Sequence, residues 1–111
     1  MRLRLPVSFR FYWGRWMGKE YCIMPPSGLY ETKRRDGLHR HEVFFGQNRQ
    51  KSIEYGLVVF LTPEMHNMSG RGVHFNSDFD LKLKQIGQRA AMKHYGWSAD
   101  EFREIFGKNY L

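Results

Sequence analysis

Two short apolar runs sit close together in this chain, Val43-Phe44-Phe45 and Tyr55-Gly56-Leu57-Val58-Val59-Phe60-Leu61, with a polar stretch between them and histidines at their outer ends. Asp36-Gly37 ahead of the first run is a hairpin signal, because both residue types tolerate the backbone of a tight turn. The spacing predicts strands over 38–45 and 55–61, joined by a polar, basic loop at Gly46–Ser52. Thr62 and Pro63 then read as the N-cap and first position of a helix that would carry His66. Four of the five histidines, His39, His41, His66 and His74, fall inside or just beyond this frame. Imidazole is the commonest transition-metal ligand and the usual general base near neutral pH, so a cluster at a strand end and a following helix can hold a divalent ion and activate a water beside it. His39 and His41 lie two apart and share one strand face. His94 falls late in a predicted helix, where a cation is mildly favourable, and it reads as structural.

Around this frame the patterning is simpler. At the N-terminus Leu3, Leu5, Val7, Phe9, Phe11 and Trp13 alternate with Arg2, Arg4, Ser8 and Arg10, which predicts a half-buried strand with a basic outer face, interrupted at Pro6. Pro25-Pro26 and Ser27-Gly28 read as a loop, and Lys33-Arg34-Arg35 with Asp36-Gly37 as a charged turn. Ser77-Asp78-Phe79-Asp80 is a capping signature for a helix over about 78–95, stopped by Gly96, with Phe79, Leu83, Ile86 and Ala90 on one face. Ser98 and Glu101 form a second capping box for a short helix over 99–106 that Gly107 closes and that buries Phe102, Ile105 and Phe106.

Composition narrows the function classes. A chain of 111 residues has room for one domain and one core. No apolar run approaches the roughly 20 residues of a membrane span. Arg4, Pro6 and Arg10 break any signal-peptide core, and a single cysteine excludes an internal disulfide, so a cytoplasmic location is expected, in the host cell if the chain is phage-encoded. The net charge of +7 is uneven: residues 1–41 carry nine Lys/Arg against three acids, and residues 42–111 nine against eight. A basic half on a small domain favours a polyanion, since phosphate neutralisation releases counterions. DNA is the expected partner, through Arg2, Arg4, Arg10, Lys33, Arg34 and Arg35 and through Arg49 and Lys51 of the loop, and no membrane is.

The blocks His41-Glu42-Val43-Phe44-Phe45-Gly46, Lys51-Ser52-Ile53-Glu54-Tyr55-Gly56-Leu57-Val58-Val59, His66-Asn67 and Gly72-Val73-His74-Phe75-Asn76 together resemble the phage and prophage HNH-type nucleases, in particular the recombination-enhancing, RecA-dependent nuclease-like family. The resemblance covers about residues 38–95 and leaves the N-terminal strand outside. It implies an α+β chain with a ββα-metal (HNH-like) core, an added N-terminal β-strand and C-terminal helices. The whole would be a single domain over 1–111, with residues 1–37 as basic strand and loop, 38–76 as core and 77–111 as helices. It implies a metal-dependent DNA endonuclease or nicking domain in which a histidine activates water against a phosphodiester. Carried over by position, His41 would be the base, and His66 and His74 metal ligands, with His39 a further ligand on the face of His41. A one-residue shift of register would instead make His41 a ligand and Glu42 its acidic catalytic neighbour. The divalent ion is open among Mg, Mn, Zn and Ni, all compatible with imidazole-rich sites.

The chain departs from the pattern in two places. Gly56 stands where many HNH proteins carry an asparagine at the start of the second strand. The two Cys-x-x-Cys positions of many relatives read Cys22-Ile23-Met24-Pro25 and Thr62-Pro63-Glu64-Met65, so no structural zinc held by four cysteines is expected. The second expectation is therefore a degenerate HNH-fold binding module, such as a phage inhibitor of a host enzyme or a non-cleaving nucleic-acid binder, with a phage or host protein as partner.

Overall fold

The computed structural model describes residues 21–33, 36–68 and 76–111. The expected N-terminal strand, with Arg2, Arg4 and Arg10, lies outside the described residues, as do Arg34, Arg35 and His74. The described residues are α+β, a two-stranded antiparallel sheet with helices.

Strand β1 (His39–Glu42) pairs with β2 (Val58–Leu61) in a register that sets His39 opposite Leu61 and His41 opposite Val59. All four residues of β2 are buried. One reason is its second edge, where Glu31 and Phe60 exchange both backbone hydrogen bonds, at 3.0 and 2.8 Å. Residue 31, read from sequence as loop, thus shields the edge of β2 and satisfies backbone groups that burial would otherwise leave orphaned.

β1 is shorter than the expected 38–45. Val43 makes one more backbone bond, to Leu57, and then the Ser52 hydroxyl takes over. It accepts from the Phe44 amide at 3.0 Å and donates to the Phe44 carbonyl at 2.7 Å, so one buried side chain stands in for the partner strand. The connection between the strands is helical, not a loop: a 3-10 turn over Gly46–Asn48 runs into helix α1 (Arg49–Tyr55). Its Ser52, Glu54 and Tyr55 are buried, and Gly56 ends it at φ 79°, a left-handed conformation open to glycine. A side chain there would also strike the Tyr21 ring at 3.0 Å. The Gly46–Ser52 stretch misleads as a sequence because its polar residues bind within the fold. Asn48 Nδ2 donates to the Phe106 carbonyl at 2.8 Å and Lys51 Nζ to the Ile105 carbonyl at 2.6 Å.

Those two carbonyls end helix α3 (Ala99–Phe106), which starts with the expected Ser98/Glu101 capping box and stops at Gly107. The long helix α2 spans Ser77–Tyr95 and stops at Gly96 as expected. Its N-cap is Asn76, whose Oδ1 accepts from the amides of Asp78 and Phe79, both at 3.1 Å. The buried stripe of α2 is Leu83, Gly87, Gln88 and Ala91, rotated from the expected Phe79, Leu83, Ile86 and Ala90. Gly87 brings α2 close to the end of β1: a Cβ there would lie 3.1 Å from Phe44 and 3.2 Å from Val43, tighter than an ordinary van der Waals contact, while Phe79 and Ile86 pack half-buried against the core. Gln88 is tolerated in the stripe because the C-terminal tail saturates it. Its Oε1 accepts from the Tyr110 amide and its Nε2 donates to Asn109 Oδ1, both at 2.7 Å. Phe44 sits at the centre of the core, with Phe102, Phe106 and Tyr110 ring centroids 4.8–5.3 Å away. Truncating such a residue typically costs about 3–5 kcal/mol.

Candidate metal centre

Antiparallel pairing brings the start of β1 beside the end of β2, and the chain leaving β2 turns back over that end. Thr62 caps the turn, its Oγ1 accepting from the Met65 amide at 3.2 Å and its carbonyl from the His66 amide at 3.0 Å. The capping expectation therefore holds, although the turn over Glu64–Met68 is a wide π-helical one. The wider turn places His66 over the histidine face of β1. His39 Nδ1 and His66 Nδ1 lie 3.3 Å apart, with ring centroids 5.4 Å apart and planes nearly perpendicular at 84°. His41, on the same face of β1, has its ring 5.3 Å from that of His66 and 5.6 Å from that of Phe45.

The 3.3 Å separation has two chemical readings. It suits an N–H···N hydrogen bond between one protonated and one bare ring nitrogen. It also suits a shared ion: two nitrogens bound to a tetrahedral centre at about 2.0–2.1 Å lie about 3.3–3.4 Å apart, the edge of the tetrahedron. The donor set, two imidazoles meeting through like atoms, fits a borderline metal such as zinc or nickel better than the harder magnesium or manganese. Among the described residues no group of three or more His, Cys, Asp or Glu side chains is arranged to hold a metal. The described part of the centre supplies the pair His39 and His66, and His74, expected as a further ligand, lies outside it.

Within the group, exposure divides the roles. His39 is exposed, whereas His41 is 1% exposed beneath His66. Glu42 projects from the other face of β1, as strand alternation requires. There Arg40 Nε meets Glu42 Oε2 at 2.9 Å and Arg49 Nε meets Oε1 at 3.0 Å. Both carboxylate oxygens of Glu42 are thus engaged by arginines, an arrangement that ties β1 to the start of α1. The expectation of Glu42 as a catalytic neighbour of His41 finds the two side chains on opposite faces.

The expected DNA-contacting cations divide similarly. Lys33 is exposed at the turn. Arg49 pairs with Glu42 and Lys51 Nζ donates to the Ile105 carbonyl, and both residues are exposed. Their cue in the sequence is weak, since Lys51 and Ile105 are 54 residues apart. His94 is held by Tyr21, at 3.3 Å from Nε2 to the phenol oxygen, and its ring stacks edge-on against Tyr95. It takes no part in the histidine group, in keeping with a structural reading. Cys22 donates its thiol to the Val58 carbonyl at 3.1 Å, steadying the segment beside β2.

Near the centre, burial pushes the Tyr30 phenol up to about 12, with Cys22 adding to the shift. Its hydroxyl donates to the Pro25 carbonyl. No helix among the described residues is long and apolar enough to cross a membrane. No protein-family model matches the chain, and neither a curated protein nor a solved structure does.

Proposed function

We propose that the chain is a metal-dependent DNA endonuclease or DNA-nicking domain of HNH type, of phage or prophage origin. One observation carries the reading: His39 and His66, 27 residues apart in the chain, meet nitrogen to nitrogen at 3.3 Å at the mouth of a two-stranded sheet, with His41 alongside. A fold gains little from crowding three imidazoles, and chemistry at a phosphodiester gains much. His39 and His66 would hold the ion, with His74 the further ligand that the resemblance implies. A divalent ion bound there would offset the negative charge that develops on the scissile phosphate and its leaving oxygen. His41 accepts the proton of the attacking water, the work a neutral imidazole does best near neutral pH. Its packing against Phe45 and His66 fixes the ring and keeps bulk water from competing. Lys33 and the neighbouring Arg34 and Arg35 hold the DNA backbone without reading sequence.

The burial of His41 favours a second reading. At 1% exposure a base must receive its water from the metal side alone, and a chain that has lost cleavage would show the same burial. That reading is a non-cleaving nucleic-acid binder or an inhibitor of a host enzyme. Supercoiled plasmid incubated with the chain and Mg²⁺ or Mn²⁺, against EDTA, separates the two. Nicked circles that EDTA prevents support the endonuclease, and intact supercoils under every metal support the binder.

A further inference from the structure

Away from the histidine centre, half-buried and exposed residues line an open groove of about 690 Å³: Ile23, Pro25, Ile86, Arg89, Ala90, Lys93 and His94. Pockets that take small organic ligands run from about 300 to 1,000 Å³ and are mostly apolar with a few placed polar groups. This one has that construction. Ile86 and Ala90, one turn apart on α2, face Ile23 and Pro25 as apolar walls, while Arg89 and Lys93, also one turn apart, line its basic side. Ile86 and Ala90 are half-buried beside the fully buried stripe of α2, which leaves part of each facing this groove.

Among the described residues no carboxylate pairs with the charges on the basic side. The carboxylates that make ion pairs among the described residues, Glu42, Asp80 and Asp100, are engaged by Arg40 and Arg49, Lys84, and Arg103, and none pairs with Arg89 or Lys93. Both cations are exposed on the helix. Two like charges one turn apart repel, and an anion between them would relieve that cost. The third polar group is oriented by a relay. Tyr95 OH donates to the Tyr55 carbonyl at 2.8 Å, so it accepts from Tyr21 OH at 2.9 Å, and Tyr21 OH in turn accepts from His94 Nε2–H. The relay fixes the ring at the groove wall and assigns its proton to Nε2.

We propose that this groove binds a small amphiphilic anion: an apolar body of one or two rings, or a short acyl chain, bearing a single carboxylate, sulfonate or phosphate. The apolar part lies along Ile23, Pro25, Ile86 and Ala90, and the acid group meets Arg89 and Lys93. A purely apolar ligand leaves the two cations facing each other, and a highly charged one leaves the apolar walls without a partner.

The probe is 8-anilinonaphthalene-1-sulfonate, which has the required fused-ring body and single sulfonate, titrated into the full chain and read by fluorescence. The uncharged analogue N-phenyl-1-naphthylamine reports the apolar part alone. Saturable binding of one equivalent is expected. The double variant Arg89→Ala, Lys93→Ala should bind the sulfonate about tenfold more weakly, the upper end of what two exposed charge pairs contribute, and the uncharged analogue about as well as the parent does. Ala90→Trp, which fills the groove from the solvent side of α2, should abolish saturable binding of both, with circular dichroism and the melting curve confirming that each variant is folded. Decanoate should displace the sulfonate probe. Absence of saturable binding to the parent chain overturns the proposal, and so does equal sulfonate affinity in the double variant or in folded Ala90→Trp.

Discussion

Removing either member of the nitrogen pair tests the metal reading at its strongest point. His39 and His66 are held by different elements, the pairing of β1 with β2 and the Thr62-capped turn, and their Nδ1 atoms already stand 3.3 Å apart. A tetrahedral site with bonds of about 2.0–2.1 Å needs about 3.3–3.4 Å, so the separation of the two nitrogens already matches that of a ligand pair. Disturbing even the groups that support a ligand typically costs 10- to 100-fold in metal affinity, so deleting a ligand outright should cost at least about 100-fold, or roughly 2.7 kcal/mol. His39→Ala is the cleaner variant because His39 is exposed and leaves no cavity. Titration calorimetry with Zn²⁺, Ni²⁺ and Mn²⁺ should show one site per chain in the parent and its loss in His39→Ala and His66→Ala. His94→Ala, which alters the relay to Tyr21, should bind metal as the parent does. Metal ligation competes with protonation of the rings, so affinity should also fall as the solution is acidified. Unchanged affinity in both single variants would refute the reasoning and leave the 3.3 Å contact as a hydrogen bond between the two rings.

Other consequences follow from the same geometry. His41→Gln, which keeps most of the volume of a buried ring, should lower plasmid nicking by about 10²- to 10⁴-fold while DNA retention on a gel stays near the parent, since a general base contributes mainly to the transition state; nicking at the parental rate would remove His41 from the chemistry. Lys51→Met should lower stability by about 1 kcal/mol in urea unfolding through loss of its bond to the end of α3, with little change in DNA affinity. Replacing Lys33, Arg34 and Arg35 with alanine should reduce the slope of log affinity against log salt by up to about three if all three meet phosphate, and an unaltered slope would make them a solvated turn. One of the six tyrosines should ionise late, near pH 12, when followed by ultraviolet absorbance, and Tyr30→Phe should remove that step. Because the folded phenol is raised above its ordinary value of 10.0, its contribution to stability is whole below about pH 10 and fades as the pH rises toward 12.

The local signals in the sequence served well wherever one or two residues decide an outcome. Ser98 with Glu101, Gly96, Gly107 and Thr62 each marked a helix end that the structure places as read. The convergence of His39, His41 and His66 was also legible, because strand alternation and a turn after β2 leave few other arrangements. Long-range partners were not legible. Gly46–Ser52 is polar enough to pass for a loop, and only the carbonyls at the end of α3, more than fifty residues later, make a helix with buried Ser52 sensible there. The face of α2 was legible in part: Phe79, Leu83 and Ile86 do pack on the core, whereas Gly87 and Gln88, buried beside them, do not look like core residues. One is buried for the space it leaves to Phe44, the other because Asn109 and Tyr110 saturate its amide. Glu42 illustrates the same limit, since its neighbours in sequence suggested chemistry and its arginine partners show it bracing β1 against α1.

The central claim, cleavage of DNA through an ion held by His39 and His66, is met most directly by the rate of supercoiled-plasmid nicking as Mn²⁺ is raised from zero, for the parent and for the double variant His39→Ala, His66→Ala. The account predicts a rate that is absent in EDTA, saturates at the metal concentration where calorimetry finds the site filled, and disappears in the double variant. Nicking that persists in EDTA, or that survives in the folded double variant, would contradict it.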